Sequence, residues 1–333
     1  MADGTPFIHM DPATVAEARR RGGDPRNLEE STKNVLTYIY QSLPEPSIPI
    51  TAAPRARARA AAAASDGVDR ISTLPEALLR NIVTRLPVKD AARTAVLSRR
   101  WRPVWRSTPL VLVDAHLLPR NFGRSPPTRE DTPGIIAAVS RILAAHPGPF
   151  RSVHLLCSFM GSHQAQLEHW PRFLAAKGVQ DLILVNRPWP LEVPLPAAIL
   201  RISTLTRLYI GMWKFPDTAA LPRNTAFPNL RELGVYSVGM ENGGREIEFL
   251  VARSPVLETL NILGKQGFRL RLESQSLRCV QICMSLVENL AVVDAPCLKR
   301  LVLYGSSNRE DSCFRIKIGH APKLRLLVCS LLF

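Results

Sequence analysis

The second half of the chain repeats one short pattern of apolar and polar positions, apolar-x-x-apolar-x-apolar. Neighbouring side chains of a strand point to opposite faces, so the three apolar positions would face a core and the intervening ones a concave surface. Start-to-start spacings of 29, 26, 25, 27, 20, 21 and 26 residues are typical of solenoids that stack one unit per repeat. The pattern predicts a curved sheet of parallel strands that pair in sequence order. Its eight copies are FRSVHL (150–155), VQDLIL (179–184), LTRLYI (205–210), LRELGV (230–235), LETLNI (257–262), LRCVQI (277–282), LKRLVL (298–303) and LRLLVC (324–329).

The segments between these copies indicate what lies behind the sheet. Residues 163–178 and 246–254 have helical patterns, whereas the gaps after residue 257 are too short for a full helix. We therefore expect strand–helix layers first and strand–strand layers later. The predicted second strands are FRLRL (268–272), NLAVV (289–293) and FRIKI (314–318).

A helical pattern occupies residues 69–109. Thr73 and Glu76 have the spacing of a capping box, and Asp90 is placed to cap a second, shorter helix. Trp101 and Trp105 lie four residues apart and so share one face of a third helix. The first helix carries a one-faced apolar stripe of Leu78, Leu79, Ile82, Val83 and Leu86.

Four segments follow from these patterns. Residues 1–68 are predicted to be a poorly ordered extension, because prolines recur between residues 44 and 54 and residues 54–65 are low-complexity Ala/Arg. A short helix at about Asn27–Tyr40 is expected within it. Residues 69–114 form the three-helix segment, residues 115–149 a linker and helix leading into the repeats, and residues 150–333 the solenoid. The expected fold class is α+β, a small three-helix domain before a curved α/β solenoid.

Charge and composition argue against several classes of function and location. The net charge of +15 is spread, with 8 basic against 8 acidic residues in 1–68, 9 against 4 in 69–114 and 26 against 16 in 115–333. A nucleic-acid-binding protein more often concentrates its charge in one stripe with aromatic residues, so nucleic acid is an unlikely partner. No apolar run of 18 residues predicts a membrane span, and no secretory signal is evident. The expected location is the nucleus, the cytoplasm or both.

No enzyme signature is found. The sequence lacks GxSxG, P-loop and GxGxxG motifs, so no catalytic residue and no cofactor are predicted. His163 and His169 are expected to be solvated or packed on a helix, and Cys279 and Cys283 to be plain thiols, so no metal site is predicted.

The segment from Asp69 to Pro109 resembles the plant F-box, through DRIS (69–72), LP (74–75), LL (78–79), Ile82, LP (86–87) and KDAARTAVLSRRWRPVW (89–105). The remainder resembles grass F-box/FBD/leucine-rich-repeat proteins, through RSPVLETL (253–260), VVDAPCLKRL (292–301) and IGHAPKLRLL (318–327). Such relatives commonly continue with further repeats and a C-terminal region, which implies a truncated solenoid here.

This resemblance implies a non-catalytic substrate receptor of a cullin-based ubiquitin ligase. The F-box would dock on a Skp-family adaptor, which bridges to a cullin scaffold, and the repeats would bind an unknown target protein. A repeat-based interaction module that acts without ubiquitination is the alternative. The adaptor-binding residues implied by position are Leu74, Pro75, Leu78, Leu79, Ile82, Leu86, Pro87, Val96, Leu97, Trp101 and Trp105.

Candidate substrate-binding residues come from the concave positions of the repeats. Tyr and Arg are the residue types that most often form interface hot spots, although such side chains also simply solvate a sheet. The candidates are Arg207, Tyr209, Tyr236, Asn261, Gln281, Arg300 and Tyr304.

Overall fold

A computed structural model describes residues 12–20, 22–48, 71, 73–118, 127–188, 193–222, 224–264, 267–304 and 315–330. Helices dominate the first part of the chain and strands the second, as expected for the α+β class. The α-helices of the described residues are α1 (Pro12–Arg20), α2 (Pro25–Ser42), α3 (Glu76–Thr84), α4 (Val88–Thr94), α5 (Trp101–Ser107), α6 (Thr132–Ala145), α7 (Gln164–Ala176) and α8 (Arg245–Ala252).

Nine parallel strands form the main sheet, and the eight predicted strands are all among them. They pair in the order in which they occur along the chain, and three further strands that lie between them in the sequence are left out. The strands of the main sheet are β1 (Leu110–Val113), β2 (Phe150–Leu155), β3 (Asp181–Val185), β4 (Arg207–Gly211), β5 (Glu232–Tyr236), β6 (Thr259–Leu263), β8 (Cys279–Cys283), β10 (Arg300–Tyr304) and β12 (Leu326–Ser330).

The three omitted strands form a second parallel sheet behind the later repeats. Its order is β11-β9-β7, and the strands are β7 (Phe268–Glu273), β9 (Val287–Asp294) and β11 (Arg315–His320). Helices α6, α7 and α8 back the earlier repeats. The predicted change from strand–helix to strand–strand layers is therefore confirmed.

The main sheet begins earlier than predicted. Its first strand, β1, lies at the end of the segment that we assigned to the three helices. Val111, Leu112 and Val113 pair in parallel with Ser152, Val153 and His154 of β2. All four residues of β1 are buried. The run LVLV lacks the spaced pattern of the other repeats because both faces of this strand are covered. The sheet therefore begins before residue 150, where the solenoid was predicted to start.

Helices α3, α4 and α5 form a compact three-helix unit that packs on the N-terminal edge of the sheet. Leu79, Val83 and Trp101 are buried in an apolar cluster that continues through β1 and the repeats. Pro75 and Pro87 occupy the positions just before α3 and α4, so the residue at each of these positions carries no side-chain capping hydrogen bond. Proline suits this position because its fixed φ favours the first turn of a helix.

The N-terminal extension is ordered where the structure describes it, which corrects the prediction for residues 1–68. Helices α1 and α2 span most of residues 12–42, and α2 is longer than the short helix expected at Asn27–Tyr40. The prolines that we expected to break this region follow the end of α2. Helix α2 is amphipathic, and burial of its apolar face against the sheet provides the stabilisation that sequence alone did not reveal.

The turn that leads into α8 requires glycine at two adjacent positions. Gly243 and Gly244 have φ values of +63° and +107°. A Cβ on Gly243 would meet nothing within 4 Å, whereas a Cβ on Gly244 would lie 2.5 Å from the backbone oxygen of Arg269 in β7.

We expect Gly243→Ala to lower the free energy of unfolding by about 1–2 kcal/mol, the cost of a left-handed residue with a side chain. Gly244→Ala should cost about 1–3 kcal/mol more, because α8 or β7 must also move. Urea unfolding of the two variants checks this order. Equal losses would show that α8 does not approach β7 as closely as described.

Candidate functional site

The three-helix unit presents large apolar side chains to solvent. The exposed fractions are 56% for Ile71, 50% for Leu78, 82% for Val96 and 65% for Leu97. A unit of this size buries its apolar residues where it can, and exposed groups of this kind indicate a surface that binds a partner. These residues lie before α3, on α3 and in the turn after α4.

The eleven predicted adaptor-binding residues separate into two groups. Leu79 and Trp101 are 0% and 2% exposed, so they hold the unit together, and their assignment to a partner surface is corrected. The difference between Leu78 and Leu79 is one step of about 100° around α3, which turns one side chain outward and the next inward. The remaining nine keep some exposure and stay predicted contacts: Leu74, Pro75, Leu78, Ile82, Leu86, Pro87, Val96, Leu97 and Trp105.

The concave face of the main sheet is built from aligned rows of side chains. Asp181, Arg207, Glu232 and Thr259 are direct partners on successive strands from β3 to β6. Two residues further along each strand lies a second row, and four residues further a third. The rows continue in register through β8 and β10. Every predicted substrate-binding residue belongs to one of them, because the neighbouring residues on each strand point into the core.

An ion pair fixes the first row. Arg207 donates two hydrogen bonds to Asp181, from Nε to Oδ1 at 3.0 Å and from Nη2 to Oδ2 at 2.7 Å. Thr206 Oγ1 donates to the same carboxylate at 3.1 Å. Burial acts to raise the pKa of Asp181, but the hydrogen bonds and the charge of Arg207 outweigh it and lower that pKa. Arg207 is therefore held by its own sheet rather than free for a ligand.

Two tyrosines form the floor of the face beside this pair. The ring of Tyr209 lies over Gly234, where an added Cβ would be 2.1 Å from Cδ1 of that ring. Tyr209 also packs edge-on against Tyr236 with ring centroids 5.8 Å apart. Its hydroxyl donates to Glu232 Oε2 at 3.3 Å and accepts from Asn261 Nδ2 at 3.3 Å. Burial, then the charge of Glu232, raises the pKa of Tyr209 to about 12.

Helix α2 lies on this floor and covers it. Leu36 and Ile39 are 2% and 0% exposed, and they pack in a cluster with both tyrosines of the sheet. Tyr209 and Tyr236 are themselves only 4% and 2% exposed. The hydroxyl of Tyr236 donates to the backbone oxygen of Ser42 at 3.2 Å, at the end of α2. The prediction that both tyrosines are available to a substrate is wrong for this state of the chain.

The C-terminal end of α2 also reaches the chain that follows β2. Tyr40 Oη donates to the backbone oxygen of Leu156 at 3.3 Å, and Arg187 Nε donates to the same oxygen at 3.2 Å. The carboxylate of Asp114 accepts from the backbone N–H of Leu156 at 2.8 Å and of Cys157 at 2.7 Å. Burial raises the pKa of Asp114 to about 6 and also raises the pKa of Tyr40.

The face beyond α2 remains open. Gln281, Arg300 and Tyr304 of β8 and β10 are exposed, and Tyr304 is 43% exposed. Asn261 is partly buried at the boundary between the covered and open parts. Sequence reasoning placed these side chains on the correct face and predicted a helix at about Asn27–Tyr40, but it did not predict that the apolar stripe of this helix packs on the sheet.

In the part of the chain that the structure describes, no three His, Cys, Asp or Glu side chains are placed together to hold a metal ion. None of the helices described is both long enough and apolar enough to cross a bilayer.

Comparison with known proteins gives two family-model matches. The F-box domain model matches residues 71–112. The model of the LRR repeats of the FBD-associated F-box protein At5g56370 matches residues 167–330. These ranges agree with the three-helix unit and with the repeats from α7 to β12. No solved structure matches the chain.

The curated relatives are plant proteins. F-box/LRR-repeat protein At3g26922 of Arabidopsis thaliana is 29% identical, over 77% of this chain and 80% of the relative. The F-box/FBD/LRR-repeat protein At1g13570 of the same plant is 29% identical, over 58% of this chain and 44% of the relative. F-box/LRR-repeat protein 13 is 29% identical over 78% and 56%. The match therefore spans about half of the latter two relatives.

The ion pair of the concave face gives a pH-dependent prediction. Arg207→Gln should lower the free energy of unfolding at neutral pH by about 1–2 kcal/mol, because Asp181 stays buried without its partner. The pKa of Asp181 is lowered on folding, so the pair contributes above the unfolded-state pKa and is lost as the pH falls through the folded-state pKa. The difference between wild type and variant, measured by urea unfolding, should therefore shrink in acid.

Arg231→Gln is the matched control, because its pair with Glu258 is more exposed and should matter less. A loss for Arg207→Gln that is the same in acid as at neutral pH would contradict the assigned ion pair.

Proposed function

Because the chain joins an F-box to leucine-rich repeats of the kind found in plant F-box/LRR-repeat proteins, we propose that it is the substrate-receptor subunit of a cullin-based, SCF-type ubiquitin ligase. The observation that carries the proposal is the set of exposed apolar side chains on the F-box, Ile71, Leu78, Val96 and Leu97. Such groups are what a Skp-family adaptor would cover, and through the adaptor the chain would reach the cullin scaffold.

The receptor contributes binding and position rather than bond chemistry. A target held by the repeats is kept near the ubiquitin-conjugating enzyme at the far end of the scaffold. Holding two reactants in one assembly makes their encounter intramolecular and raises the effective concentration of the target. No catalytic side chain is required of this chain for that role.

The packing of the F-box on the repeats supports this role. Helices α3 and α4 contact β1, and Lys89 Nζ donates to the backbone oxygen of Leu117 at 3.2 Å. The ring of Trp105 packs edge-on against His146 at 5.0 Å, and His146 against Phe150 of β2 at 5.2 Å. A continuous core of this kind holds the adaptor-facing side and the concave face at a fixed separation, which a proximity mechanism needs.

We expect Leu78→Ala/Ile82→Ala to weaken adaptor binding by about 2 kcal/mol or more, roughly thirtyfold, as for the anchors of other interfaces. Both side chains lie about 100° around α3 from the buried Leu79 and Val83, and neither is fully buried, so the fold should be retained. Titration calorimetry with a purified Skp-family adaptor measures the loss.

Arg80→Ala/Thr84→Ala is the matched control, because these residues lie on the side of α3 about half a turn away. The control should bind the adaptor as the wild type does. Unchanged affinity of the Leu78/Ile82 variant would refute docking through α3. Co-purification of the cullin with the wild type alone would support the ligase over an interaction module that acts without ubiquitination.

A further inference from the structure

The concave face already holds one ligand of known chemistry, helix α2 of the same chain. The apolar side chains that α2 presents recur at helical spacing along one face, and they cover strands β3 to β6. The residues of α2 in this contact are Leu28, Val35, Leu36, Ile39 and Tyr40, with Leu43 at its end. An amphipathic helix laid in an apolar groove is a recurring mode of peptide recognition.

The contact between α2 and the sheet is separate from the core of the solenoid. Ile183, Tyr209 and Tyr236 pack with α2 in a cluster of their own. The alternate residues of the same strands, such as Leu182 and Leu208, belong to the large core on the other side. Removing α2 would therefore uncover the concave face and leave the core of the repeats in place.

The shape of the groove fits a helix with branched aliphatic and aromatic side chains. Gly211 and Gly234 have no side chain, and the space beside each is filled by a neighbouring residue. Val185 packs over Gly211, and the ring of Tyr209 packs over Gly234. The hydroxyl of Tyr236 donates a hydrogen bond to a backbone oxygen at the end of the helix, Ser42 O. That bond recognises a helix terminus rather than one particular side chain.

We propose that the concave face of β3–β6 is a helix-binding groove, held by α2 in the free chain, and that the target protein presents an amphipathic helix which replaces α2. The inference rests on the proposed receptor function and names the class of its target. Because α2 is tethered, it acts at an effective concentration of about millimolar, so a target helix must outcompete it. A helix whose affinity for the groove is low therefore fails to displace α2 and does not bind.

A peptide of residues 24–43, labelled with a fluorophore, serves as the probe for the groove. It is added to the full-length chain, either wild type or carrying the release variant Leu36→Glu/Ile39→Glu, which charges the buried face of α2. Fluorescence anisotropy should show at least about tenfold tighter binding to the release variant, because its groove is no longer occupied by its own helix.

Two controls locate the binding. Asn34→Glu/Thr37→Glu adds the same charge to the exposed side of α2 and should bind the peptide as weakly as the wild type. Adding Leu263→Glu to the release variant places a charge on the floor of the groove and should abolish binding. A milder release variant, Leu36→Ala/Ile39→Ala, repeats the test if circular dichroism shows that the first one is not folded.

The proposal is overturned if a folded release variant binds the peptide no more tightly than the wild type, or if Leu263→Glu leaves that binding unchanged. Adaptor binding is measured on the same samples. Peptide binding without adaptor binding would refute the receptor function and keep the groove, whereas adaptor binding without peptide binding would refute the groove alone.

Discussion

In-register pairing of parallel strands is the constraint on which the rest of this structure depends. In the main sheet, from β2 to β12, each strand aligns residue by residue with its neighbour, so that a row such as Asp181, Arg207, Glu232 and Thr259 runs straight across the sheet. A slip of one residue would exchange the core and the concave face along a whole strand. Because alternate side chains of each strand point to opposite faces, the same register determines both the Leu-rich core and the rows on the concave face.

The same core extends into the F-box, where it determines which side chains are buried and which remain exposed. Strand β1 follows α5 after two residues and begins the sheet, so the three-helix unit covers the edge that would otherwise be exposed. The side chains that pack there, such as Leu79 and Trp101, cannot also meet a partner. Those that are exposed, such as Leu78 and Val96, remain available to a partner.

Much of this fold follows from local pattern, because each repeat carries its own strand signature. The strands around Leu208, Leu233 and Leu260 could be placed from sequence because their apolar residues alternate. Strand β1 lacked that alternation, since both of its faces are buried. The docking of α2 could not be predicted, because Leu36 and Ile39 find their partners in strands about 150 to 220 residues later in the chain, and no local rule specifies such a pairing.

The central claim is that α2 covers the concave face, and the five tyrosines of the chain report on it directly. Tyr38 and Tyr304 are 40% and 43% exposed, whereas Tyr40, Tyr209 and Tyr236 lie within or beside the α2 contact. Nitration with tetranitromethane, followed by peptide mass spectrometry, distinguishes them. The structure predicts that the native protein is nitrated at Tyr38 and Tyr304, and that Tyr209 and Tyr236 react only after unfolding in urea. Nitration of Tyr209 and Tyr236 in the native protein as fast as that of Tyr304 would contradict it.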